Sequence, residues 1–525
     1  MFRRFLKTVI DYAICGYLIL ILTVMPFFNR NGYRYIGTDK SYFFNTVCIY
    51  MGRILIPVTV LYLAALLFSL KKQAWRLFKE SITVTDLFAA GYCAALLISW
   101  LCSRYRQDCI WGATGWYMGL YPHLFLIFGY FFISKFWKPR KWILGLGLCA
   151  SFAVFVLGCL NRFGVDPLNM DIGVTGFIST IGNINWYCGY LVSVFFAGAA
   201  LLWQQDSHSP WKTLLLSLYV LTGFAALISQ GSDSGILAFG AVALILFLLS
   251  VSDGRRMKMF WLEMALFGCA CIMISLIRRA LPQKSAGLPY VSCRFLSEGA
   301  APFIVTIVSF SVLLFVSAFI KKDHYPAKAF GILAKIVMTG LSVSACAFLV
   351  LIIAQTRSPG SIGPLSKYSV FQFDSHWGSS RGATWTAGWN CFREQSLLKK
   401  IVGVGPDAMS FYLYRDSSEE LLNTVQAAFG SATLTNAHNE WLTLLVNTGV
   451  LGLAAFAGMI STALFRLIRS VGRNRMACAC GICLFAYTVN NIFSFQQSMS
   501  VATVFALLGI GSAFLRTDPG TPAPR

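Results

Sequence analysis

The chain has 525 residues, 57% of them hydrophobic and only 12% charged. Soluble domains carry about 25% charged residues, so a soluble globular class is excluded and a polytopic membrane protein is implied. The formal net charge of +22 does not indicate nucleic acid, because Lys and Arg are dispersed through short loops and not gathered on one face.

At roughly 20 apolar residues per crossing, the sequence predicts about fourteen spans. They begin near Thr8, Phe44, Val84, Trp116, Trp142, Trp186, Trp211, Gly235, Met259, Ala301, Phe330, Glu440, Met476 and Gln497. Arg3, Arg4 and Lys7 precede the first, and no small-residue cleavage site follows it, so it reads as a retained span and not a signal peptide. The span after Gly235 is expected to be short, and Gly189 and Gly198 are expected to break the one from Trp186.

Alternate loops differ in charge. One set carries Lys71, Lys72, Lys138, Arg140, Arg255, Arg256, Arg466 and Arg469; the other set carries fewer basic residues, among them Arg30, Arg104 and Arg162. The positive-inside rule then puts both termini in the cytoplasm of a multi-pass cell-membrane protein. The tail from Asp518 to Arg525 reads as a short disordered end. The sixteen Cys residues lie in apolar runs, as at Cys478 and Cys480, without metal-ligand spacing, and read as small buried hydrophobes.

This organisation gives four stretches: amino-terminal spans over 1–177, central spans over 178–354, an extracytoplasmic loop over 355–440 and carboxyl-terminal spans over 441–516. The loop is long and polar, and so long a water-facing segment between spans points to function. Ser380 is placed to cap a helix starting at Arg381, with Trp385, Trp389 and Phe392 on one face. That face is expected to lie on the lipid. Ser417-Ser-Glu-Glu420 reads as a capping box for a second helix ending near Gly430. Gly403-Val-Gly405-Pro406 reads as a tight turn between them. Asn439, Asn183 and Asn185 stand at span entrances, where capping is the default role; Glu440 either orients His438 or is solvated, and solvation is the expectation.

These residues form a pattern. Ser380-Arg381 with Trp385, Val402-Gly-Val-Gly-Pro406, His438-Asn-Glu-Trp-Leu442 and Asn447-Thr-Gly449-Val-Leu-Gly452 resemble, in that order, the O-antigen ligase family, whose shared domain also occurs in Wzy-type polysaccharide polymerases. Gly182-Asn183-Ile184-Asn185 is similar to the family's Gly-Asn-Pro-Asn element, with Ile184 in place of Pro. The resemblance covers roughly 178–454. It departs at Ser229-Gln-Gly-Ser-Asp-Ser-Gly235, where the family has a Ser-Arg pair and this chain has no Arg. Arg278, Arg279, Arg294 and Arg357 are the alternatives for that cation.

The resemblance implies an all-α fold like that of GT-C-type membrane glycosyltransferases. It also implies transfer of a glycan from an undecaprenyl-pyrophosphate donor to an acceptor at the outer face of the lipid bilayer. Such a donor carries its own leaving group, so no cofactor, nucleotide or metal is needed, and no Asp-x-Asp motif is present. Arg381 has the forked donor geometry that suits phosphate oxygens. His438 titrates in the range a base needs to deprotonate a hydroxyl. Catalysis is therefore expected at His438 and Arg381, and substrate binding at Arg381, Asn439, Gly403, Gly405, Asn183 and Asn185. The sequence leaves open a ligase, a polymerase that uses a second lipid-linked repeat as acceptor, and, in a different class, a polysaccharide transporter or flippase.

Overall fold

A computed structural model describes residues 1–70, 81–170, 176–206, 209–283 and 291–518. Lys71, Lys72 and the tail beyond Asp518 lie outside the described residues. The chain is almost wholly helical. Helix α1 is Phe2–Ile19, continued by a π-helical turn at Leu20–Val24. It is followed by α2 (Ile36–Leu70), α3 (Val84–Cys102), α4 (Leu120–Phe136) and α5 (Lys141–Arg162). A two-residue hairpin, β1 (Phe177–Ile178) with β2 (Gly182–Asn183), leads into α6 (Ile184–Trp203). Helices α7 (Pro210–Ser229), α8 (Asp233–Ser250), α9 (Gly254–Ala280), α10 (Val291–Ser297), α11 (Ala301–Lys321) and α12 (Ala327–Arg357) follow. The loop contains α13 (Trp377–Glu394), α14 (Leu397–Val402), α15 (Met409–Arg415) and α16 (Glu419–Phe429). Helices α17 (Glu440–Ile468), α18 (Arg475–Asn490) and α19 (Ser498–Arg516) complete the chain.

Twelve of these helices are long and apolar enough to cross a membrane, and α4 and α18 are shorter apolar helices in the same bundle. The predicted spans fall on these elements. The span expected at Trp116 starts instead at Leu120, because Trp116 belongs to a turn packed on other aromatic rings. Helix α6 is unbroken. Its glycines serve close packing: a methyl at Gly198 would overlap the Tyr219 ring, and one at Gly189 would touch Ser500. The helix after Gly235 runs from Asp233 to Ser250, long enough to count among the twelve.

Helices α6, α18 and α19 form the centre of the core, with nearly every residue of α6 and α19 buried. Far from the loop, polar clusters hold helix ends together. Asp86 caps its own helix through Thr83 and pairs with Lys135 and Tyr130, while Asp206 takes Arg255 and Arg475. Helix α12 stands apart, with only Phe330, Ala334 and Gln355 buried along its length.

A second, smaller apolar core lies under the loop. Cys391, Val404, Met409, Leu413, Leu421, Val425 and Val446 close it against Tyr105 and Cys109 from the segment after α3. The loop is therefore a packed cap on the bundle and not a free strand of chain.

Candidate functional site

The first candidate segment is built around Arg381. Gly378, Ser379 and Ser380 all have left-handed backbone angles, and regular helix begins after them. The expected helix start is thus present, but no Ser380 side-chain cap forms. Instead, this left-handed turn aims Arg381 back at the bundle. Its Nε donates to the Phe493 carbonyl at 2.9 Å and its Nη1 to the Gly378 carbonyl at 2.9 Å. Trp385, expected on the lipid, packs inward against Phe493 and Trp377, with centroids 5.6 and 5.5 Å apart. Trp389 is the ring left half-exposed. The inward turn of Trp385 follows from the kink, which rotates the apolar face of α13 toward the 493 segment.

The second segment is the glycine turn. Val404 and Gly405 donate their N–H groups to the carbonyls of Val446 and Asn447 at 3.2 and 2.9 Å. Gly403 has φ 82° and Gly449 φ 65°, and the two meet: a side chain on Gly403 would overlap the Asn447 carbonyl, and one on Gly449 the Ile401 carbonyl. The Gly-Val-Gly-Pro and Asn-Thr-Gly motifs are two halves of one backbone joint. Gly403 and Gly405 are buried in that joint. Asp407, next along, is left-handed with φ 56° and is buried. Its Oδ2 accepts N–H groups from Ala113 and Met118 at 2.8 and 3.1 Å, clamping the turn before α4. Burial pushes this carboxyl up to about 7, and the two backbone N–H groups oppose the rise.

The third segment is Asn436-Ala-His438-Asn-Glu440. His438 is left-handed with φ 48°, an uncommon state for a residue with a Cβ. Its N–H donates to Asn436 Oδ1 at 2.9 Å, which holds it there. The imidazole sits edge-on to Phe495, centroids 4.9 Å apart. Burial, then the Arg381 charge, lower its proton affinity to a pKa of about 4, so it stays a neutral base at physiological pH. Asn439 caps α17 by accepting the Leu442 N–H at 3.0 Å. Glu440, expected in solvent, is buried, because the turn between α18 and α19 folds over it. Its N–H donates to the Asn491 carbonyl at 2.9 Å and its Oε2 accepts the Gln496 N–H at 2.6 Å.

Arg381 and His438 thus converge on Phe493–Phe495, a segment of the carboxyl-terminal bundle. The entrance of α6 reaches the same place through aromatic contacts: Trp186 packs on Trp116 at 5.9 Å and Trp116 on Phe495 at 4.6 Å. Asn183 caps α6 by accepting the Asn185 N–H at 2.8 Å, so both residues stand behind this aromatic row. Beneath it lies a cavity of about 30 Å³, lined among others by His123, Asp407, Asn436, Glu440, Phe495 and Gln496.

One further cation on the loop side is fixed by the fold. Arg162, the last residue of α5, donates from Nε and Nη2 to the carbonyls of Ser229 and Gln230 at 2.6 and 2.8 Å. It lies against the Ser229 stretch, which has no Arg of its own. The same turn reaches α6 through Ser234 and Cys188, and Cys188 bonds Asn490 at 3.5 Å. The available signal was a basic residue ending a span on the same side as the loop. Of the earlier alternatives, Arg278 and Arg294 face Glu298 at 2.9 and 3.9 Å, and Arg279 and Arg357 are exposed. Among the described residues there is no cluster of His, Cys, Asp and Glu able to hold a metal ion.

No curated protein matches the chain. Residues 286–457 match the family model described as O-antigen ligase. The match contains Arg381, the glycine joint and His438, and leaves out Arg162, Asn183 and Phe493–Gln496. This polytopic helical protein is thus similar over residues 286–457 to the O-antigen ligase family, a match that supports a ligase- or polymerase-type function in cell-surface polysaccharide biosynthesis.

Proposed function

We propose that the protein transfers a glycan from an undecaprenyl-pyrophosphate carrier to an acceptor hydroxyl at the outer face of the cell membrane. The observation that carries this reading is the convergence of a carbonyl-anchored guanidinium, Arg381, and a neutral imidazole, His438, on Phe493–Phe495. In this reading the cap formed by residues 355–440 is extracytoplasmic and both termini are cytoplasmic.

Arg381 holds the pyrophosphate, whose charge grows as the sugar departs. Arg162, fixed on the Ser229 turn, supplies a second cation. His438 takes the proton of the acceptor hydroxyl. The oxygen attacks the anomeric carbon, the bond to the pyrophosphate breaks, and the carrier leaves as undecaprenyl pyrophosphate. A bound pyrophosphate offsets the Arg381 charge and raises the proton affinity of His438 toward the range of an effective base. Asn183, Asn185 and Asn439 border the site as caps that offer polar contacts to the glycan. Gly403 and Gly405 act on substrate only indirectly, by setting the joint that carries Asp407.

The test is complementation of a deletion strain scored for surface polysaccharide. His438→Ala and Arg381→Ala, inserted at normal levels, are expected to abolish output. Normal output from either variant would defeat the assignment. Accumulated lipid-linked polymer in the deletion strain identifies a ligase, and accumulated single repeats identify a polymerase.

A further inference from the structure

Arg381 and His438 come from the loop, but what they rest on does not. Phe493 and Phe495 belong to the short connection between α18 and α19, a stretch without regular structure. Its position must be fixed from outside. Glu440 does this at both ends. Its backbone N–H binds the Asn491 carbonyl before the segment, and its carboxylate binds the Gln496 N–H after it, at 2.9 and 2.6 Å. The bracketed stretch is the one that receives the Arg381 Nε and the His438 ring.

The bracket is continued on both sides. Gln496 Oε1 lies 2.9 Å from His123 Nε2, and His123 Nδ1 lies 2.8 Å from the Gly119 carbonyl oxygen. Asn491 Oδ1 accepts from the Asn490 amide at 3.2 Å, and Asn490 meets Cys188 of α6. Glu440 is 3% exposed, so no water competes freely for its carboxylate. It follows His438 by two residues and starts α17, so any displacement of the 491–496 connection is transmitted to the imidazole and the guanidinium together.

We propose that Glu440 is a positioning residue for the transfer reaction, bracketing Asn491–Gln496 so that Arg381 and His438 are held on the same short segment. The proposal rests on the reading of Arg381 and His438 given above. It differs from a general packing role in requiring a hydrogen-bond acceptor at one place. Glu440→Gln keeps that acceptor, Glu440→Ala removes it, and Glu440→Asp withdraws it by one methylene.

The experiment uses the full-length protein in nanodiscs. The chain has five His residues, and His438→Ala identifies the imidazole resonance of His438. Its titration is followed in each variant alongside surface polysaccharide in the complemented strain. In Glu440→Ala the loosened connection is expected to free His438 from burial and from Arg381. Its titration should move up by about one unit or more toward the ordinary 6.5, and polysaccharide should fall about tenfold or more, since misplacement of this kind has cost up to about a hundredfold elsewhere. Glu440→Gln should keep both readouts within about twofold of the parent. Should Glu440→Ala fail to accumulate, Glu440→Asp is read by the same criteria.

An unchanged His438 titration and full polysaccharide in Glu440→Ala would overturn the proposal. So would a Glu440→Gln variant as impaired as Glu440→Ala, which would assign the effect to charge. If His438→Ala also retains full output, the transferase reading fails as a whole. If His438→Ala is inactive while Glu440→Ala is normal, the positioning role alone fails.

Discussion

Arg381 and His438 lie at the two ends of one three-residue segment, the guanidinium on the Phe493 carbonyl and the imidazole on the Phe495 ring. Both residues lie more than 50 positions before this segment in the chain. The arrangement ties their chemistry together, because after burial the charge of Arg381 is the next cause lowering the proton affinity of His438.

The first prediction concerns that coupling. Arg381→Gln removes the nearby positive charge and should raise His438 from about 4 toward 6.5, though burial will keep it below that value. The measurement is a histidine NMR titration of the unliganded protein. The sign for stability runs the other way from a salt-bridged His. A His with depressed affinity contributes stability above pH 6.5, and that stability is lost as pH falls from about 6.5 to about 4. Parent protein should therefore lose thermal stability over that window more steeply than Arg381→Gln.

Asp407 gives the opposite pH dependence. Its folded value of about 7 lies above the ordinary 3.8. Its contribution to stability is complete below about pH 3.8 and is lost as pH rises through about 7. Asp407→Asn cannot ionise and keeps one acceptor oxygen for Ala113 and Met118. Thermal melts in detergent should show the variant gaining on the parent between pH 5 and pH 8. Parallel curves would refute the assignment.

The glycine joint should tolerate little. Gly403→Ala and Gly449→Ala each combine a left-handed backbone with a steric overlap on a carbonyl. Each is expected to destabilise by more than about 1 kcal/mol, read as a lower melting midpoint. Gly430→Ala is left-handed but meets nothing within 4 Å, so it should be the milder of the three.

Arg162 separates charge from shape. Its two donors reach adjacent carbonyls of the Ser229 turn, a forked contact that Lys cannot reproduce. Arg162→Lys should reduce polysaccharide output by several-fold and Arg162→Ala by about tenfold or more. Equal output from all three proteins would remove Arg162 from the site.

Most of the helical architecture was legible because a membrane span announces itself by length and apolarity alone. The start of regular helix at Arg381 and the stop at Gly430 were also readable from local chemistry. The second helix shows where such reading ends. Ser418 does cap α16, accepting the Leu421 N–H at 3.2 Å. However, the carboxylate that completes the cap comes from Glu394 of α13 and not from within the expected box. Glu440 and Trp385 were misread for a related reason. Each looks solvent- or lipid-facing beside its sequence neighbours, and each is covered by the connection near Phe493, more than 50 residues later. The anchoring of Arg162 was not legible because its partners, the Ser229 and Gln230 carbonyls, lie at the end of another helix. Positions fixed by contacts distant in sequence leave no local pattern.

The stretch that matches the ligase domain is held from both sides by chain that lies outside it. Ser99 and Ser103 donate to the carbonyls of Asn447 and Val404 at 2.8 and 2.5 Å, while Asn491 and Gln496 close over Glu440. Excised on its own, residues 286–457 would leave the glycine joint and the Glu440 carboxylate open to solvent. The working unit is the whole bundle, and a swap of this region between relatives should succeed only when those four flanking anchors travel with it.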